Sequence, residues 1–353
     1  MARSTAFFMN GGAGRVIASV PAFELFLKEN PKDDFIIVCE GGTDFYKGHP
    51  LLSKRVFDHW HKGLFETYIK DRNCMSPEPY RVWEYYNQKC SLAQAFDIEI
   101  NNKGLRDLPK PTLNLNKTEV VGAANVVEEV KKVTGFDKTL VIQPFGRTVE
   151  NMGDFLVDPT SRSFQLNNII DIINILKKEY GVIIMSEHPV VVDDNPNPKH
   201  PVAQPEIPDM RIWAGIIDIA DHFLGCDSLG QHIVKALGKK ATIVTGSTYP
   251  VNISYPDDDN FDIIVVVYNN NNWNIEYFSG SVIDLNNCIK WIQWMWNNIT
   301  SFFITSCCFN CYSCSSTIYK NSLLAISCSS FFKCSYNTIL FGNISFTKNT
   351  VNI

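Results

Sequence analysis

Two stretches of this chain carry the same sequence pattern: an apolar run, a polar turn, a helical stretch and a second apolar run. In the first, Phe7, Phe8 and Met9 lead into the turn Gly11-Gly12-Ala13-Gly14. Val16, Val20, Phe23, Phe26 and Leu27 then recur at helical spacing until Asn30-Pro31, and residues 35–39 form a buried-type strand. The second series begins with a helix over 117–134 and a strand over 139–143 that ends at Pro144-Phe145-Gly146-Arg147-Thr148. An amphipathic helix over 164–180, a strand over 182–185 and a short element over 212–219 follow. The series closes with a strand, a helix over 231–237 and a strand over 241–245. Strands joined through helices by short links pair in parallel, because parallel neighbours need a crossover. The extended stretch LPKPTLNL at 108–115 separates the two series. The expected fold class is therefore α/β, with two facing Rossmann-like domains and a cleft between them. Their expected spans are 1–116 and 117–297, followed by an atypical tail over 298–353.

Composition narrows the function. At 353 residues there is chain enough for two cores, and 45% apolar with 20% charged residues is ordinary globular usage. A net charge of −5 lacks the basic face that nucleic acid requires. Residues 1–14 hold no long apolar run of the secretory kind, so the expected location is cytoplasmic. Of the eleven cysteines, Cys39, Cys74, Cys90, Cys226 and Cys288 read as buried thiols of a reducing compartment. The other six lie in the tail, where Cys307, Cys308, Cys311 and Cys314 lack the second ligand pair of a zinc site. No metal is expected. Gln293, Asn297, Asn298 and Thr300 interrupt the apolar stretch near 291–309, which is too short to span a bilayer. Beyond residue 298 the chain has no Asp, Glu, Arg or Pro, and it reads like A/T-rich coding sequence translated out of frame. A last helix, over 282–296, would cross back towards the first domain.

In open parallel sheets, ligands bind beyond the carboxyl ends of the strands. Gly146–Thr148, Glu187 and the run Asp227, Ser228, Gly230, His232 all fall at such ends. A polar turn opening a helix can hold an anion on free backbone N–H groups. An ordinary crossover whose Asp227 and Ser228 merely cap the helix fits the same spacing.

These segments together resemble the heptosyltransferase-like glycosyltransferases of family nine, which have the GT-B fold and occur in marine bacteria and their phages. The resemblance is carried by GGAGRVIASVPAFELFLKENP from Gly11, by Gly48-His49-Pro50, by the turn after residue 143 and by Ser163-Phe164. It is clearest at 227–237 with the later Gly246-Ser247-Thr248. It implies inverting, metal-independent transfer of a heptose-like sugar from a nucleotide diphosphate, an ADP-sugar, to a glycan or lipopolysaccharide hydroxyl, with no cofactor. It implies peripheral contact as the one relation to a membrane. It places the donor on Gly146, Arg147, Thr148, Arg162, Glu187, Asp227, Ser228, Gly230 and His232, and the acceptor beside Gly12, Gly14 and Arg15. The family has glycine where Leu229 stands, which would narrow the donor pocket. It also has an acidic base where Arg15 stands, and a guanidinium cannot take a proton. Glu40, Asp44 and His49 are the nearest substitutes. The alternative is that Arg15 marks an inactive sugar-nucleotide or glycan-binding protein.

Overall fold

A computed structural model describes residues 4–153, 156–192, 202–269 and 272–279. The expected helix over 282–296, Cys288 and the whole tail lie outside them. The first half runs β1 (Thr5–Met9), α1 (Ala13–Glu29), β2 (Ile36–Cys39), β3 (Val56–Asp58), β4 (Asn73–Met75), α2 (Trp83–Tyr86) and α3 (Leu92–Asn101). Its four strands form one parallel sheet in the order β3-β2-β1-β4. Phe7 of β1, Phe23 and Phe26 of α1 and Phe35 meet edge to face, which fastens the helix to its sheet.

Helix α4 (Lys117–Thr134) opens the second half. Asn116 accepts from the Glu119 N–H while the Glu119 carboxylate accepts from the Asn116 N–H, and Gly135 ends the helix at φ 74°. The order continues β5 (Thr139–Gln143), β6 (Glu150–Asn151), β7 (Leu156–Val157), α5 (Leu166–Leu176), β8 (Gly181–Ile184), α6 (Met210–Ile219) and β9 (His222–Cys226). It closes with α7 (Leu229–Leu237), β10 (Ala241–Thr245), α8 (Pro250–Ile253), β11 (Phe261–Asn269) and β12 (Asn272–Ser279). The second sheet has the order β12-β11-β10-β9-β5-β8, parallel except for the β11–β12 hairpin. Ile169, Ile172 and Ile173 bury one stripe of α5 against it, at ~1.5–3 kcal/mol for each side chain.

The expected α/β architecture with two sheets is the observed one. Four details differ. Helix α5 is shorter than the stretch 164–180, and α7 starts at Leu229 rather than 231. Cys74 is exposed, because it lies on the short edge strand β4, whereas Cys39, Cys90 and Cys226 are buried as expected. Residues 41–104, which carry no clear period, hold two strands, two α-helices and three shorter helical turns.

The halves share one apolar cluster that includes Val16, Ile17 and Val20 of α1, Ile233 and Val234 of α7, and Trp213 of α6. Helix α1 therefore packs directly against α7, and both helices start at the same place. Among the described residues no helix is long and apolar enough to cross a membrane.

Candidate active site

Strand β9 ends at Cys226, and the next two residues turn the chain into α7. Ser228 is the residue before the helix, but its side chain does not cap it. Gln143, at the end of the neighbouring strand β5, does that work instead. Its Oε1 accepts from the Gly230 N–H at 2.8 Å, and its Nε2 donates to Ser228 Oγ at 3.2 Å. Asp227 is 5% exposed and accepts from Gln231 Nε2 at 2.7 Å, and Arg162 Nη1 stands 4.0 Å from its other oxygen. Burial pushes the Asp227 carboxyl up to about 6, against the opposing pull of Arg162. His232 is 6% exposed, and its Nδ1 shares a 2.7 Å hydrogen bond with the Tyr255 hydroxyl. Burial, then the charge of Arg162, lowers the imidazole to about 4, so it is neutral at pH 7.

The imidazole lies against the start of α1. A Cβ added to Gly14 would sit 2.9 Å from His232 Cδ2, 3.4 Å from Nε2 and 3.8 Å from the Leu229 Cα. The first turns of α1 and α7 thus touch across the cleft, and a side chain at position 14 would part them. Gly11 makes the preceding turn at φ 93°, with its N–H donating to Glu40 Oε2 at 2.9 Å. Arg15 folds back over this turn. Its guanidinium carbon is 4.9 Å from the Tyr80 ring centre and 5.6 Å from that of Phe96, and its Nη2 meets Glu78 Oε1 at 3.4 Å. From the second half, Arg147 Nη1 would lie 3.5 Å from a Cβ on Gly12. Tyr80 stands among all these charges. Its phenol is raised by burial, lowered by Arg15, raised by Asp227, lowered by Arg162 and raised by Glu78.

Arg162 is aimed by its own loop. Asp158 accepts from Thr148 Oγ1, from the Thr160 N–H and hydroxyl and from the Ser163 N–H and hydroxyl. Burial would raise this carboxyl, but the donors outweigh it and hold it at about 2. Thr160 Oγ1 in turn accepts from Arg162 Nε at 3.0 Å.

Two solved proteins share this fold. The glycosyl transferase family 9 protein of Veillonella parvula superposes with a TM-score of 0.54 at 12% identity, over 75% of this chain and 86% of its own. The ADP-heptose LPS heptosyltransferase II of E. coli gives 0.54 at 9% identity, over 82% of this chain and 97% of its own. Neither a protein-family profile nor a curated protein matches the sequence. The fold is that of the GT-B glycosyltransferases.

Within this GT-B cleft the residues singled out from sequence fall into three groups. Asp227, His232, Arg162, Ser228, Gly12, Gly14, Arg15 and Arg147 surround the junction of the two helix starts. Gly146, Thr148 and Gly230 are close, but their donors are taken. The Gly146 N–H goes to Ser163 Oγ, the Thr148 hydroxyl to Asp158 and the Gly230 N–H to Gln143. Glu187 follows β8 and is exposed, with no hydrogen bond among the described residues. The substitutes for a base separate too. His49 is buried, and its Nδ1 accepts from the Leu51 and Leu52 N–H groups. The proton must then sit on Nε2, which meets Glu24 at 2.8 Å, so His49 is a structural side chain with no free nitrogen. Asp44 is paired with Lys47 on the surface. Sequence reasoning passed over Gln143, Glu78, Tyr80 and Tyr255. Gln143 alone had a signal, a polar residue closing an otherwise apolar strand.

Proposed function

We propose that this chain is an inverting glycosyltransferase that moves a sugar from a nucleotide diphosphate to a saccharide hydroxyl in the cytoplasm. The observation that supports this reading is the meeting of the α1 and α7 N-termini with Arg15, Arg147 and Arg162 around them. Helix starts carry partial positive charge and unpaired N–H groups, and guanidinium groups bind phosphate oxygens in pairs. A diphosphate leaving group needs such preorganised positive charge as the glycosidic bond breaks, and these groups supply it without calling on a metal or cofactor. Asp227 holds Arg162 and Gln231 in place, and neutral His232 turns Nε2 toward Gly14 at the start of α1. Leu229, at the first turn of α7, narrows the sugar pocket. Because one of the solved neighbours is an ADP-heptose LPS heptosyltransferase, an ADP-sugar is the donor proposed here and a lipopolysaccharide glycan the acceptor.

Calorimetric titration of the full chain with ADP tests the reading. Saturable binding is expected, weakened about tenfold or more in Arg162→Ala, which is ~1.4 kcal/mol. ADP-heptose is expected to release ADP on incubation with the protein. Folded protein that binds ADP but never turns over an ADP-sugar would instead favour a binding protein of the same fold.

A further inference from the structure

We propose that Glu78 is the general base of the transfer, held at the cleft by its ion pair with Arg15. The inference rests on the glycosyl-transfer reading above. In such a step the acceptor oxygen forms a bond to the anomeric carbon while the bond from that carbon to the diphosphate breaks. The electron pair of the broken bond leaves on the diphosphate, and the hydroxyl proton must go to a base within hydrogen-bond reach. Arg15 cannot take it. Neither nitrogen of His49 is free, and the Asp44 carboxylate is engaged by Lys47. Asp227 is buried and committed to Gln231 and Arg162. Glu40 accepts the Gly11 N–H at 2.9 Å, which ties it to the turn before α1.

Glu78 is placed differently. It lies between Pro77 and Pro79 at φ −123° and ψ 82°, and its N–H donates to Glu99 Oε2 of α3 at 3.3 Å. A residue before proline is confined to extended backbone, so this carboxylate sits on a stiff support. One oxygen meets Arg15 at 3.4 Å, and the other has no hydrogen-bond partner among the described residues. The side chain is 31% exposed, enough for a hydroxyl to reach it. The ring of Tyr80, the next residue but one, lies 4.9 Å from the Arg15 guanidinium carbon, so Glu78 and Tyr80 flank Arg15 at the start of α1.

The test uses the full-length protein, ADP-heptose as donor and water as acceptor, with ADP release and ADP binding measured separately. Glu78→Gln is expected to lower turnover 10²–10⁴-fold with the Kd for ADP unchanged within twofold. Its residual activity is expected to lack the acidic limb of the wild-type pH–rate profile. Glu78→Asp keeps the charge on a shorter arm and is expected to fall between the two. Arg15→Gln is expected to lower kcat and, because Arg15 is one of the guanidinium groups around the two helix starts, to weaken ADP binding as well, and Arg15→Lys to recover part of both losses. Turnover by folded Glu78→Gln or Glu78→Asp together at the wild-type rate, with the same pH profile, would overturn the assignment and leave the transferase reading standing. Wild-type protein that neither binds ADP nor releases it from ADP-heptose would overturn that reading, and this one with it.

Discussion

Asp227 lies just before α7 and His232 in its first turn, and burial moves them in opposite senses. An acid raised to about 6 in the folded chain holds a proton between its ordinary value and pH 6 that the unfolded chain has released. It therefore makes stability fall as pH rises through that window. His232, like His222, is lowered to about 4 and stays bare where the unfolded imidazole binds a proton. Each makes stability fall as pH drops from 6.5 towards 4. In the wild type the Asp227 proton offsets one of these two. Asp227→Asn removes the offset, so its melting temperature should drop more steeply from pH 6.5 to 4 than the wild type's. The added slope is about 1.4 kcal/mol per pH unit, and thermal melts across that range check it. Equal slopes would show that Asp227 is already ionised throughout. The spacing of Asp227 and His232 was visible in the sequence. That the Gly146 and Thr148 donors are spent was not, because their acceptors, Ser163 and Asp158, stand 17 and 10 residues further along the chain.

Gly230 shows what the start of α7 requires. Read from sequence it belongs to a diphosphate turn, but a Cβ there would lie 2.2 Å from Phe223 Cζ and 2.5 Å from Gln143 Oε1. The glycine lets the helix start press onto β9 while its N–H reaches Gln143. Gly230→Ala is expected to destabilise the chain by about 1–3 kcal/mol or more, read as a lower urea midpoint. A midpoint within error of the wild type would mean that Phe223 and Gln143 give way freely. The longer elements were legible for the same reason that they are stable. Helix α5 and strands β5 and β10 bury enough apolar residues to show a period. Strands β3 and β4, of three residues each, and the four-residue α2 hold too few positions for any period, and so Glu78 and Tyr80 had no frame around them.

The two halves are joined by a buried charge as well as by apolar packing. Arg211 is 2% exposed. From α6 it donates to both Glu119 oxygens of α4, at 2.6 and 2.9 Å, to the Asp44 carbonyl of the first half at 3.1 Å and to the Asn114 carbonyl of the link. Arg211→Met leaves the Glu119 carboxylate uncompensated and should cost ~3–5 kcal/mol in urea unfolding. Adding Glu119→Gln removes the stranded charge and should return part of that loss. A double variant no better than the single one would show that the carbonyl contacts carry the joint. Local pattern was enough to set the fold class, the two strand–turn–helix series and the link between them. Hydrophobic period and turn chemistry act within a few residues, and they are written into neighbouring positions. The site is another matter. Gly14 meets His232, Arg15 meets Glu78, Gln143 caps α7 and Arg211 ties the link to both halves. Each pairing joins residues far apart in the chain, some within one half and some across the two, and it is made only when the sheets and their helices pack.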